Sequence, residues 1–171
     1  IPGGRIMILE DHDGDGFYEK GDVFAEGLPY VNGVMPWRDG VLVTSAPDII
    51  FLKDTTGDRR ADVREVVLTG FALTNPQLRM SSLRYGLDNW IYFTNGLSGG
   101  EVGVAGHPEI PRLTMGNLDL RYDPLNHTLE TVAGEGVDNL LGLRDPVSGG
   151  TVMRCQVNVP RTYGVSLKAS F

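Results

Sequence analysis

Residues 6–28 read IMILEDHDGDGFYEKGDVFAEGL and residues 49–71 read IIFLKDTTGDRRADVREVVLTGF, and the two lie on one another at a constant offset of 43 with no gap. Each copy passes through four apolar residues, a charged residue, an Asp-initiated polar turn, a second apolar run and a closing pair, Gly27-Leu28 or Gly70-Phe71. Four or five apolar residues are too few for a buried helix. Two such runs around a turn rich in Gly and Asp make each copy a β-hairpin. Residues 6–9 and 49–52 are continuously apolar, which predicts strands covered on both faces.

Working outward, residues 34–44 supply two more strands around the Asp39-Gly40 turn. Residues 83–94 repeat that unit with Trp90-Ile91-Tyr92-Phe93. Its outer hairpin returns after an insertion as 118–123, a turn at 124–127, and 128–132. Four strands in about 43 residues is the measure of a propeller blade. The reading is all-β: a partial β-propeller of two to three four-stranded blades over residues 1–136, an incomplete ring because such rings close with about four to eight blades. A β-sandwich carrying two hairpins alike by accident is the alternative. The insertion at 96–116 is long for a blade loop and is expected to be functional. Residues 137–171 lack the Asp-Gly turns and the blade rhythm, and are read as an atypical tail, aberrant or disordered.

Composition agrees with many short elements joined by tight turns. The 23 glycines and 10 prolines among 171 residues are well above the average share. Formal charge is −7 and the pI is about 4.9. With no basic run longer than Arg59-Arg60, nucleic acid is disfavoured as a partner, since phosphate neutralisation supplies most non-specific affinity. The single Cys155 excludes an intrachain disulfide and a CxxCH haem site within these residues. No apolar stretch approaches the ~18 residues needed to span a bilayer.

The turn of the first hairpin, Asp11-His12-Asp13-Gly14-Asp15-Gly16, has the opening of an EF-hand calcium loop, with carboxylates at positions 1, 3 and 5 and Gly at 6. The expected ligand set is Asp11, Asp13, Asp15, the Phe17 carbonyl, Glu19 and, at position 12, Asp22. Calcium takes six to eight oxygens, and Asp22 is one methylene shorter than the usual glutamate, which disfavours bidentate closure; the loop would sit in a β-hairpin instead of between helices. The alternative is a solvated turn without metal. Two carboxylates ~5 Å apart repel by only about 3 kcal/mol at an effective dielectric near 20, so an exposed turn tolerates them empty. The second copy keeps Asp54, Thr56, Asp58, Asp62 and Glu65 but has Arg59 at the glycine position, and is expected to bind weakly or not at all.

The phrases GRIMILEDHDGDGFYEKGDVFAEGL (4–28), APDIIFLKDTTGDRRADVREVVLTGF (46–71) and LRYGLDNWIYFTNG (83–96) together resemble the propeller of the PVC-type membrane-bound dehydrogenases, relatives of the sorbosone and soluble glucose dehydrogenases. The likeness covers about residues 3–135. It implies an exported, periplasmic or membrane-associated protein that oxidises a sugar-like substrate, often with pyrroloquinoline quinone. In that family, helical-repeat and haem-carrying segments commonly follow the propeller. It also implies that the stretch before the second blade's inner strands faces the channel, where Asn75, Gln77, Arg79 and Arg84 would line a polar substrate pocket. Trp37, Trp90 and Tyr92 are candidates for stacking on a sugar, although aromatics beside strand cores are more often there for packing. The expectation is therefore a fragment of a quinone-dependent, sugar-type dehydrogenase propeller. A non-catalytic, calcium-stabilised propeller that binds carbohydrate or protein is the second reading.

Overall fold

The computed structural model describes residues 3–75, 78–96, 99–116 and 118–132. Every regular element of any length in them is a β-strand: β1 (Gly4–Glu10), β2 (Lys20–Leu28), β3 (Val31–Trp37), β4 (Gly40–Ser45), β5 (Asp48–Lys53), β6 (Val63–Phe71), β7 (Ser81–Tyr85), β8 (Ile91–Thr94), β9 (Gly100–Val104), β10 (Leu113–Met115), β11 (Leu120–Asp123) and β12 (Thr128–Thr131). The all-β class read from the sequence holds. The predicted tail, 137–171, lies outside the described residues. Among the described residues no helix is long and apolar enough to cross a membrane.

The strands form three antiparallel sheets. β1 and β2 pair alone, β3-β4-β5-β6 form an up-and-down meander, and β7-β8-β11-β12 form another. The 43-residue offset is kept in three dimensions, since β1–β2 and β5–β6 are corresponding hairpins.

Alternation along β4 and β5 explains why their sequences are continuously apolar. Leu42, Ile49 and Phe51 belong to the larger core, which reaches Leu83, Ile91, Phe93 and Leu120 of the second meander. Val43 and Leu52 point the other way, into a smaller core with Ala25 and Leu28 of the β1–β2 hairpin, supported by Ile6, Phe24 and Ile50. Side chains two apart share a face, so a strand sandwiched between two neighbours must be apolar at every position.

The same expectation fails for residues 6–9. Burial along β1 alternates, and Met7 and Leu9 are 39% and 53% exposed. The reason is local: Ile6 packs toward the central sheet, while among the described residues no element lies against the opposite face.

The insertion also differs from the expected loop. It holds the hairpin β9–β10, and β9 pairs with β6 to extend the central sheet to six strands. Gly100 permits the approach, because a Cβ there would stand 2.4 Å from the Gly70 carbonyl oxygen. The β3–β4 turn is shifted by one from the expected Asp39-Gly40: Arg38 and Asp39 form the turn, and Gly40 pairs with Trp37 as the first residue of β4.

Gly40 shows how tightly the central sheet is built. A Cβ added there would lie 2.2 Å from the Leu52 carbonyl oxygen and 2.8 Å from the Phe51 ring. Gly40→Ala is therefore expected to destabilise the fold by about 1–3 kcal/mol. Gly116→Ala, which meets nothing within 4 Å, should stay within about 0.5 kcal/mol. Chemical denaturation of the two variants in parallel measures both; equal midpoints would contradict the packing described.

Candidate functional site

The two aspartate turns share their main hydrogen bonds. In the first, Gly14 N donates to Asp11 Oδ1 at 2.7 Å and Gly16 N to Asp11 Oδ2 at 3.0 Å. In the second, Gly57 N donates to Asp54 Oδ1 and Arg59 N to Asp54 Oδ2, both at 2.7 Å. The bases match too: His12 N reaches Glu19 Oε2 at 2.8 Å, and Thr55 N reaches Asp62 Oδ1 at 2.8 Å. One leading carboxylate thus satisfies two backbone donors and sets the loop, which requires a left-handed residue at its sixth position. Gly16 has φ 95° and Arg59 φ 70°; the arginine adopts an angle that glycine takes without steric cost.

The turns diverge in what the side chains bring together. Carboxylate oxygens of Asp11, Asp13, Asp15 and Glu19 all lie within 4.8 Å of one another. An ion with oxygens at about 2.3–2.6 Å holds opposite ligands about 4.6–5.2 Å apart, so the spacing suits a hard cation such as calcium. Among the described residues no arginine or lysine is paired with any of the four. Phe17 closes the tip, donating its N–H to Asp15 Oδ1 at 2.8 Å, with its ring 76% exposed.

Asp22, expected at the twelfth ligand position, stands elsewhere. It accepts from Arg59 Nη1 at 3.0 Å and pairs with Lys20 at 3.3 Å. Glu10 accepts from both arms of the same guanidinium, sharing Nη1 with Asp22 and taking Nη2 alone. The sequence comparison identified Arg59 as a defect of the second loop and missed its role as a cross-link to the first hairpin. That role depends on how the hairpins lie side by side, and no spacing within one repeat reports it. The Arg59 guanidinium lowers the carboxyls of both Glu10 and Asp22 from their ordinary values, and Lys20 adds to the effect.

Of the residues expected to line a substrate pocket, Arg79 and Arg84 each have a backbone partner near in sequence. Arg79 is buried, with its guanidinium 3.7 Å from the Tyr30 ring centroid and Nη2 donating to the Leu73 carbonyl at 2.8 Å. Arg84 turns back to the Leu83 carbonyl at 2.8 Å. Arg79 precedes β7 and Arg84 lies within it. Asn75 lies in the connection before β7, where its carbonyl accepts from Leu78 N; Gln77 is outside the described residues. A flat polyanionic quinone needs several open donors converging on it, and Arg79 and Arg84 do not supply that arrangement.

The aromatic candidates are engaged in packing. Trp37 meets Phe51 edge to face at 5.2 Å, Arg121 lies over Trp90 at 4.3 Å, and Tyr92 donates to Asp88 at 2.7 Å. A junction invisible to spacing joins the insertion to the β11–β12 turn. The rings of His107 and His127 stack at 4.1 Å, His107 Nδ1 lies 2.8 Å from Glu109, and Tyr122 Oη lies 3.1 Å from His127 Nδ1. Burial pushes the Tyr122 phenol up to about 12, so it stays neutral.

The chain belongs to the family described as Domain of unknown function (DUF7133), whose model matches residues 1–160. No curated protein and no solved structure matches it.

The Arg59 link makes a prediction about acid stability. Glu10 and Asp22 have folded values below their unfolded ones, so their contribution is complete above pH 4.5 and is lost as pH falls below about 4 through the lowered values. Arg59→Met should flatten this acid limb and leave the profile above pH 6 parallel to that of the parent. Melting temperature against pH for the two proteins is the measurement, and identical acid limbs would remove the link.

Proposed function

We propose that this member of the DUF7133 family is a segment of a calcium-stabilised β-propeller, and that the complete propeller is the substrate-holding part of an exported, quinone-dependent, sugar-type dehydrogenase. The observation that carries the calcium half is the convergence of Asp11, Asp13, Asp15 and Glu19 without a paired cation, beside a matching loop whose arginine is tied to Glu10 and Asp22. Two four-stranded meanders sharing one apolar core, preceded by a hairpin that corresponds to β5–β6, are what two blades and the outer half of a third would contribute.

The dehydrogenase half rests on the three sequence phrases. The remaining blades and haem-carrying segments would be its partners, and the quinone would be held largely by residues other than Arg79 and Arg84. The second reading, a non-catalytic calcium-stabilised propeller that binds carbohydrate or protein, is favoured by one observation: Arg79, the central candidate for the pocket, is buried against Tyr30 and Leu73.

Calcium supplies charge neutralisation at the loop and a fixed tip between β1 and β2. With an extracellular-type dissociation constant of about 0.1–1 mM, a tenfold excess of calcium should stabilise the protein by about 1.4 kcal/mol. Magnesium should do much less, because it sheds water reluctantly and demands an octahedral site. Changing both Asp13 and Asp15 to Asn should abolish the response, and Asp58→Asn should leave it intact. Titration calorimetry and calcium-dependent melts decide this; no calcium heat in the parent, or an equal heat in the double variant, returns the four carboxylates to solvated turn residues. For the dehydrogenase half, dye reduction with aldoses and pyrroloquinoline quinone is expected from the polypeptide of the whole reading frame and not from residues 1–171. An inactive whole polypeptide with intact calcium binding selects the second reading.

A further inference from the structure

A concavity of about 410 Å³ opens where three turns meet, lined by Pro36, Trp37, Arg38, Tyr85, Asn89, Pro124 and Leu125. It lies at the end of β7 away from Arg79, and the aspartate loop contributes nothing to its lining. Its volume falls within the usual range for small-molecule sites, about 300–1,000 Å³. It is bounded by the last residues of the edge strands β3 and β7 and by the turns that carry Arg38, Asn89, Pro124 and Leu125.

Its one cation is set up for recognition. The Arg38 guanidinium lies over the Trp37 ring at 4.0 Å, and Trp37 is in turn fixed by Phe51. Among the described residues no carboxylate is paired with Arg38. Its neighbour Asp39 is held by Lys53 at 2.5 Å, Asp88 accepts from Tyr92, and Asp123 accepts from Leu125 N and Asn126. In a chain of net charge −7, an arginine beside Asp39 whose carboxylate is taken by Lys53 is a candidate anion subsite. A guanidinium seated over a ring still has N–H groups to offer, and its planar fork matches a carboxylate. Tyr85, 54% exposed, offers a ring platform beside it, and Asn89 an amide able to bond hydroxyls. Both Arg38 (φ 52°) and Asn89 (φ 66°) sit in the left-handed region, where strained residues concentrate at binding sites.

We infer that this concavity binds an acidic sugar of the uronic acid class, its carboxylate on Arg38, its ring against Tyr85 and a hydroxyl on Asn89. The inference depends on neither the calcium loop nor the dehydrogenase reading. It is tested by titrating residues 1–171 with D-glucuronate, D-glucose, benzoate and inorganic phosphate, followed by calorimetry and by tryptophan fluorescence. Glucuronate should bind at least tenfold more tightly than each of the other three. Equal binding of glucose removes the role of the carboxylate, equal binding of benzoate that of the hydroxyls, and equal binding of phosphate leaves only a charge site; each overturns the inference, as does no binding of glucuronate. Arg38→Gly and Asn89→Gly keep residues suited to the left-handed backbone, so the fold should persist in both, as a melt would verify. The first should cost at least tenfold for glucuronate and nothing for glucose, the second about three- to tenfold for both. Arg38→Lys, which keeps the charge and loses the fork, should fall between the parent and Arg38→Gly. Unchanged glucuronate affinity in folded Arg38→Gly or Asn89→Gly overturns the assignment.

Discussion

Coverage of the β4–β5 pair on both faces is the constraint on which the described structure depends. Leu42 and Phe51 face the second meander while Val43 and Leu52 face the first hairpin, so one strand pair holds both neighbours. Their burial is nearly complete: Val43 and Leu52 are 0% exposed and Leu42 1%. Moving either strand by one residue would exchange the two sets of side chains, which fixes register as firmly as a strand can be fixed. The turns at both ends inherit this rigidity. Asn89 adopts its left-handed conformation readily, as asparagine does in turns, whereas Arg38 keeps its own because the flanking strands are locked into the larger core.

Much of this was legible in the sequence, and the reason is periodicity. A repeat at a fixed offset forces equal hairpins, and the equal turns beginning at Asp11 and Asp54 follow from their leading aspartates. A continuous apolar run such as residues 49–52 declares burial on two faces. The same run at residues 6–9 gives the same signal with half the outcome, because a sequence records what a strand is suited to meet and the described residues supply only one of the two neighbours. The strands at 128–132 and 118–123 were placed to within two residues. The insertion was misread as a loop because its glycines, which look like loop residues, are there to let β9 approach Gly70.

The side-chain constellations were less legible, and for a different reason. Four of the expected calcium ligands converge because they lie within nine residues of one another, so local geometry decides their placement. Asp22 lies across the hairpin, where a partner 37 residues away competes for it. Arg79 illustrates the same rule: the family resemblance suggested a channel position for it, and its partner Tyr30 lies 49 positions earlier, beyond the reach of any local spacing. The Trp37–Arg38 stack and the His107–His127 stack likewise involve turns brought together only by the sheets.

The two aspartate loops can be understood as alternative solutions to one electrostatic problem. Each hairpin gathers carboxylates at its tip or base, and carboxylates held close need a counter-charge. Around Glu10 and Asp22 the counter-charge is covalent to the chain: Arg59, helped by Lys20. Around Asp11, Asp13, Asp15 and Glu19 the chain provides none among the described residues, and backbone N–H groups alone meet these oxygens. Backbone donors satisfy hydrogen-bonding capacity but carry only partial charge, so they leave most of the mutual repulsion in place. The same left-handed position that holds glycine in one loop holds the cross-linking arginine in the other. A glycine there lets the backbone turn sharply around a dense carboxylate set. An arginine there spends its charge on the neighbouring hairpin, in a loop whose third residue is Thr56 instead of an aspartate. The first loop thus gathers four carboxylates where the second carries its own arginine, and the repeat differs there at 13 against 56, 16 against 59 and 19 against 62.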